Sequence, residues 1–279
     1  MNASYELPPL PPILEPYRQQ IAESVRPFIR ITTEASPNVG IAESKLGGAP
    51  YLPLGTEYPK DKNGDDMVLI AQINFAEVPP LAPFPASGIL QFYISNSKHY
   101  NYGLAFTNTP DENKKQENWR VLWFDTVVTD ETLLNTNFPA STAEIAGTPF
   151  ETKNLPVKLH FELSYSPVAP GDYQIPRVLS YAVTDSYGTP DKQDYAKLDA
   201  YSEIFWPSNV GHHLGGYAYF TQTDPRFNAK LNVPSFVLLQ LDSDKVMMWG
   251  DVGVAHLFIS PEDLAARDFS RVYYDWDCN

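Results

Sequence analysis

The chain has 279 residues, with 34 acidic against 20 basic side chains and a net charge of −14. A field of this sign repels phosphate backbones, which argues against nucleic acid as a partner, and it would attract a basic protein or peptide. The apolar fraction of 43% excludes wholesale disorder, and 26 prolines favour short strands and loops over a helical bundle.

The sequence predicts a cytoplasmic protein. The only cysteine, Cys278, cannot form an intramolecular disulfide, which fits a reducing compartment. The first residues lack the basic segment and apolar core of a signal peptide. No apolar run reaches the roughly 18 residues that would span a bilayer, so we expect no contact with a membrane.

The first predicted element is an N-terminal helix over residues 13–30. Tyr17, Ile21, Val25 and Phe28 recur at steps of four and three residues and form one apolar stripe. We therefore expect this helix to pack on a sheet. Strands are predicted after it, over residues 68–73, 89–95 and 120–128.

Residues 135–205 resemble no other part of the chain. They contain a predicted strand over residues 157–165 and a predicted helix over residues 190–205. The C-terminal third predicts a β-meander with strands over residues 235–241, 246–249 and 254–259. A short helix should follow, capped by Ser260. The closing run 273–277 is either a terminal strand or a set of aromatic and acidic side chains that holds a cation.

Two parts of the chain echo each other. Residues 45–52 (KLGGAPYL) match residues 213–220 (HLGGYAYF) at four of eight positions. Further along, residues 68–74 and 88–95 match residues 236–242 and 253–260 in the same order. Ordered internal matches indicate a duplicated unit. We therefore predict one α+β, predominantly β domain over residues 1–279, with pseudo-symmetric halves at about 41–128 and 209–279 and peripheral helices.

The repeat also yields a candidate site. Gln72 and Gln240 are equivalent, as are Gln91 and His256, and all four interrupt apolar strands. Buried amides must find hydrogen bonds. One hypothesis is that the four converge at the seam between the halves and line a polar ligand pocket, with Trp249 as a wall. The alternative is that each is a satisfied polar group of the core or reaches solvent.

Metal and cofactor sites are not predicted. Asp242 and Asp244 fall in one predicted turn and Asp251 in the next, roughly 14 Å away, so we interpret them as turn formers. His212 and His213 point to opposite sides of an extended segment, which argues against a joint metal site. Residues 222–226 (QTDPR) either place Asp224 and Arg226 in a pocket or form a turn with a surface ion pair, and we prefer the turn.

Short motifs within residues 40–95 and 210–279 resemble the YwqG-like family of bacterial proteins of unknown function. The motifs are residues 46–53, 69–74, 88–92, 215–217, 222–226, 238–244, 248–251, 268–270 and 275–278. The resemblance implies a β-rich fold with duplicated halves. It implies no activity and no catalytic residues.

Two functions follow as hypotheses. The preferred one is a non-enzymatic protein that binds a basic protein or peptide on an acidic surface, as toxin-neutralising immunity proteins do. It rests on the charge and on the absence of nucleophile-elbow, Walker and zinc-protease motifs. The second is a small-molecule-binding protein or enzyme with its pocket at the seam. The sequence leaves the oligomeric state open.

Overall fold

A computed structural model describes residues 5–36, 38–105, 113–139, 147–151 and 155–279, and its main feature is one antiparallel sheet of ten strands. The strands are β1 Arg26–Ala35, β2 Lys45–Leu46, β3 Met67–Asn74, β4 Ile89–Ser95, β5 Trp119–Phe124, β6 Val157–Ser166, β7 His212–Gly215, β8 Phe236–Asp242, β9 Val254–Ile259 and β10 Tyr273–Asp277. Their order across the sheet is β10-β9-β8-β7-β1-β6-β2-β3-β4-β5. The predominantly β class predicted from the sequence is confirmed.

Helices are few and short. They are α1 Arg18–Glu23, α2 Ile175–Val178, α3 Tyr195–Phe205 and α4 Pro261–Ala266. The hydroxyl of Ser260 caps α4 by accepting from the backbone N–H of Asp263, as the sequence predicts. The longest helix, α3, has 11 residues. In the described parts of the chain no helix has the length and apolar character needed to cross a membrane.

The sheet curls around a single main core. All ten strands contribute side chains to one buried apolar cluster, which requires the sheet to present one continuous face inwards. Its end strands also meet. The backbone N–H of Tyr274 in β10 donates to the carbonyl of Asn113 at 2.8 Å, and Asn113 Nδ2 donates back to the Tyr274 carbonyl at 2.7 Å. The Tyr274 ring lies 5.4 Å from that of Trp119 in β5. These contacts cover the free edge of β10.

Two glycine pairs turn the chain where it leaves β2 and β7. Gly47 and Gly48 have φ values of +64° and +74°, and Gly215 and Gly216 both have +70°. A Cβ atom on Gly216 would lie 2.8 Å from the Cβ of Phe28. Both the left-handed backbone and the close packing therefore select glycine at these positions.

The predicted N-terminal helix is shorter than the sequence suggested. Helix α1 ends at Glu23, and β1 begins at Arg26. Pro27 disfavours a helical conformation at the residue before it, and the following Ile31 and Thr32 favour a strand. The buried Ile21 of α1 belongs to the same apolar cluster as Tyr201 of α3, so the helix packs in a second core rather than on the main one.

The predicted strand over residues 246–249 is also wrong. Asp244 Oδ1 accepts from the backbone N–H groups of Val246 and Met247, which holds the segment in a turn. Met247 then forms an isolated bridge with Phe150, and β8 pairs directly with β9. The other predicted strands, at residues 68–73, 89–95, 120–128, 157–165, 235–241, 254–259 and 273–277, are confirmed within a few residues at their ends.

Candidate functional site

Gln72 and Gln91 lie opposite each other on β3 and β4 and form a closed hydrogen-bond network. The Oε1 atom of Gln72 accepts from the backbone N–H of Tyr51 and from Gln91 Nε2, each at 2.8 Å. The Nε2 atom of Gln72 donates to the carbonyls of Ile41 and Glu43 at 2.9 and 2.8 Å. Gln91 Nε2 also donates to the Tyr51 carbonyl at 2.6 Å. The pair fixes residues 41–51 on the sheet.

Gln240 and His256 form a matching network on β8 and β9. Gln240 Oε1 accepts from the backbone N–H of Tyr219 at 2.9 Å, and its Nε2 donates to the carbonyls of Asn209 and Gly211 at 3.1 and 2.8 Å. His256 Nε2 lies 2.8 Å from the Tyr219 carbonyl and 3.2 Å from Gln240 Oε1. Because both neighbours are acceptors, Nε2 carries the proton.

The two networks agree bond by bond. Each backbone partner of Gln240 follows the corresponding partner of Gln72 by 168 residues. Strands β3 and β8 also share an irregularity of register, between Leu69 and Ala71 in one and between Val237 and Leu239 in the other, at the same shift of 168. His256 replaces Gln91 while keeping both of its acceptors.

The structure brings the predicted site residues together as two pairs rather than as one group of four. Leu90 and Phe92 belong to the main core, so alternation along β4 places Gln91 on the outer face of the sheet. Leu257 and Ala255 place His256 on the outer face of β9 in the same way. No hydrogen bond between described residues joins the two pairs. Trp249 is fully buried in the main core. A ligand-binding role for these residues stays a prediction.

His212, His213 and His256 are buried. Burial lowers the pKa of His213 to about 4 and holds the pKa of His256 well below its usual value. His212 Nδ1 accepts from the backbone N–H of Asp242 at 2.9 Å, and its Nε2 lies 3.4 Å from Asp244 Oδ2. His212 lines a cavity of 320 Å³ beside the middle of β1, the start of β7 and the end of β8, yet both of its ring nitrogens already have partners.

A buried ion triad is the main feature that sequence reasoning missed. Arg226 Nη2 lies 2.8 Å from Asp172 Oδ2 and 2.7 Å from Asp224 Oδ2, and all three side chains are at most 3% exposed. The guanidinium stacks on the rings of Tyr173 and Phe258, at 4.5 and 4.7 Å. Asp224 also forms the predicted turn by accepting from the backbone N–H of Arg226. The ion pair is therefore buried, not at the surface.

The triad carries a net charge of −1 when both carboxyls are ionised. Burial raises the pKa of Asp172 to about 6, because the Arg226 charge offsets only part of the desolvation and Asp224 adds repulsion. The QTDPR motif is the sequence signal for Asp224 and Arg226. No sequence motif near Asp172 predicts that it joins the triad, since it lies 54 residues from Arg226.

An acidic cleft of 280 Å³ lies between residues 40–43, the end of β3 and residues 127–134. Its lining combines Glu43, Glu77 and Glu131 with apolar side chains such as Ile41 and Leu134. The described lining residues include no lysine or arginine, but Lys158 forms an ion pair with Glu43 at 2.7 Å, which leaves Glu77 and Glu131 as the unpaired charges among these residues. The ammonium group of Lys45 lies behind the lining residues 40–43 of this cleft. It donates to the carbonyls of Gly40 and Ile41 at 3.0 and 2.8 Å.

Lys45 is 1% exposed, and burial lowers its pKa to about 8, although Glu43 and Glu77 act in the opposite direction. Since the unfolded lysine binds its proton up to about pH 10.4, the folded state binds fewer protons between pH 8 and that value. The stability that this group contributes therefore rises as the pH rises through 8.

Replacing Lys45 with methionine should remove this pH dependence. Both carbonyls keep another donor, the backbone N–H of Glu43 for Gly40 and Gln72 Nε2 for Ile41, so the variant should fold. Urea unfolding at pH 7 and pH 10 measures the effect. We expect the wild type to gain about 2–3 kcal/mol relative to K45M over that interval. A constant difference between the two proteins would show that Lys45 titrates normally.

The described residues contain no group of three or more histidine, cysteine, aspartate or glutamate side chains placed to hold a metal ion. Asp242 and Asp244 act in the turns instead: Asp242 accepts from the backbone N–H groups of Gly211 and Ser243, and Asp244 from Val246 and Met247. In the closing run, Tyr273 and Tyr274 are buried and form the terminal strand β10.

Comparison with known proteins identifies a family for the chain. No curated protein matches the chain. A family described as a domain of unknown function, DUF1963, matches residues 44–278, which include nine of the ten strands, all but β1, and the side chains of Gln72, Gln91, Gln240 and His256. Because this match covers most of the chain, the protein belongs to the DUF1963 family.

Proposed function

We propose that the protein is a non-enzymatic binding protein that holds a basic protein or peptide at the acidic cleft. The proposal rests on one observation: carboxylates and exposed leucines lie close together at this cleft. Leu54 and Leu133 are 56% and 50% exposed. The backbone N–H of Leu54 donates to the carbonyl of Leu133, and Leu134 lines the cleft.

Such a surface suits a partner that is both basic and apolar. Exposed leucines supply the area that a complex buries, and the surrounding carboxylates attract a positively charged partner and select its orientation. Glu77 and Glu131 are exposed, so their charges reach an approaching protein. The net charge of −14 adds long-range attraction of the same sign.

The partners of His212 and the burial of His213 and His256 support a binding role over a catalytic one. A general base needs a free lone pair within reach of a substrate. Both nitrogens of His212 have partners, and His213 and His256 are buried. A toxin-neutralising immunity protein is one kind of protein with these properties.

A matched pair of double variants tests the location of the binding surface. E77Q/E131Q removes two charges from the cleft, and D199N/E203Q removes two exposed charges from α3, so both variants have a net charge of −12. The glutamine that replaces Glu77 still offers an acceptor to the backbone N–H of Ser44, the partner of Glu77. The probe is a synthetic amphipathic peptide of leucine and lysine.

We expect calorimetry to show that E77Q/E131Q weakens peptide binding about threefold to tenfold, with little change for D199N/E203Q. Wild-type affinity should also fall as the salt concentration rises. Equal losses in the two variants would mean that only the overall charge acts, and the cleft would have no special role.

We further infer that the two halves arose by internal duplication, a history that the YwqG-like resemblance also implies. The two glutamine networks and the shared irregularity of register support this inference. A cytoplasmic location belongs to the same set of proposals and rests on the single cysteine, which has no partner for a disulfide within the chain.

A small-molecule site at the seam is the second candidate function. The 320 Å³ cavity beside the middle of β1 supports a small-molecule site, since Arg30 and Asp242 line it beside His212. No described residue of the predicted first half, 41–128, lines this cavity, so it lies on the side of the second half rather than between the two. Gln72, Gln91, Gln240 and His256 do not line it. A soaking or thermal-shift experiment with small carboxylates and amines, compared between wild type and H212F, tests this candidate.

A further inference from the structure

A cavity of 250 Å³ lies next to the buried triad and away from the acidic cleft. Four aromatic side chains line it: Tyr181 and Tyr187 from the segment before α3, Tyr195 from the first turn of α3, and Phe227 from the turn after the QTDPR motif. The four rings come from three separate segments, so the cavity is formed by the fold and not by one loop.

The rings differ in depth. Tyr181 is 8% exposed, whereas Tyr187 and Tyr195 are 70% and 43% exposed. Exposed tyrosines at the mouth of a cavity leave their ring faces free for a ligand, while the buried ring forms part of the wall. Gly188, with φ of +79°, packs so closely on Phe227 that an added Cβ would lie 2.4 Å from the ring.

The charge next to these rings is negative. Asp224 is fully buried and lines the cavity. Its charge and that of Asp172 exceed the single charge of Arg226, which leaves the triad with −1. The described lining residues include no lysine or arginine. Aromatic faces beside a net negative charge favour a cation whose own hydration is weak.

We propose that this aromatic cavity binds a methylated ammonium group. A quaternary ammonium has no N–H to satisfy, so ring faces can replace its water without unmade hydrogen bonds. The volume is below the roughly 300–1,000 Å³ typical of sites for drug-sized ligands, which fits a small cation or the end of one side chain. This proposal rests on different residues from the acidic cleft and does not depend on the proposed function.

The test compares two molecules of nearly the same shape. Choline carries a trimethylammonium group, and 3,3-dimethyl-1-butanol carries an uncharged tert-butyl group in its place. Titration of the full chain at constant ionic strength should show saturable binding of choline and at least about tenfold weaker binding of the alcohol. Equal binding of both molecules would show that the site is only an apolar cavity, and this result would overturn the proposal. The absence of choline binding would also overturn it.

Variants at the exposed rings keep the fold intact. Y187L/Y195L should weaken choline binding about tenfold, because it removes two ring faces, whereas Y187F/Y195F should change it less than about threefold. Unchanged binding in Y187L/Y195L would place choline elsewhere and contradict the proposal. A peptide that carries trimethyllysine, compared with its unmodified lysine form, distinguishes a protein source of the cation from a free one.

Discussion

Replacing Arg226 with methionine should lower the free energy of unfolding by about 3–5 kcal/mol, because the buried carboxylates of Asp172 and Asp224 lose the positive charge that is paired with them. Arg226 is 3% exposed, and Asp172 and Asp224 are fully buried, so water cannot take over its role. The stacking of the guanidinium on Tyr173 and Phe258 is partly retained by the methionine side chain. Denaturant unfolding of the full chain at pH 7 measures the loss.

The same variant should recover stability as the pH falls. The folded pKa of Asp172 is already raised above its unfolded value of 3.8, and removal of Arg226 raises it further. The folded state then binds more protons than the unfolded state below pH 7, so stability increases towards pH 5. D172N/D224N/R226M, which removes all three charges, should be more stable than R226M at pH 7. An equal loss at pH 5 and pH 7 would mean that lost packing, not charge, causes the effect.

Replacing Gln240 with leucine should cost about 2–4 kcal/mol, since it leaves the buried N–H of Tyr219 and two carbonyls without their partner. Leucine has a similar size, so the cost reflects hydrogen bonds more than volume. Thermal and urea unfolding measure it. Q72L should lose somewhat less, because Gln72 makes the equivalent bonds but the Ile41 carbonyl keeps the ammonium group of Lys45 as a donor.

His256 provides the matched control. H256Q should cost less than about 1.5 kcal/mol, because Gln91 shows that an amide in the equivalent position reaches both acceptors. H256L should cost more than H256Q, since leucine cannot donate to the Tyr219 carbonyl. If H256Q were as damaging as H256L, the two networks would not be interchangeable, and the case for duplication would weaken.

The strands could be predicted where local pattern and burial agree. Strands β3, β4, β8 and β9 are short apolar runs bounded by turns, and ordered sequence matches predicted that the first two correspond to the last two. The same reasoning predicted that the glutamines must be hydrogen bonded. It could not tell which face of a strand they occupy, because strands buried on both faces show no alternation of polar and apolar residues.

Other features depend on contacts between distant residues. The helical spacing of Tyr17 and Ile21 is real, but the pairing of β1 with β6 and β7 decides the conformation from Arg26 onwards. Asp172 meets Arg226 only after folding, so its burial has no local signal. A lysine in the sequence is expected at the surface, yet the carbonyls of Gly40 and Ile41 hold the ammonium group of Lys45 inside the protein. Tertiary contacts override local propensity at each of these positions.

The central position of β1 has a consequence for how the chain folds. Its partners are far away in sequence: Ala35 pairs with Val157, and Phe28 pairs with Gly215. Such long separations raise the contact order and slow folding. During synthesis β1 stays without its native strand partners until more than half of the chain has emerged from the ribosome. Because β1 ends at Ala35 and the family match begins at residue 44, the unit that folds is longer than the part of the chain that matches the family.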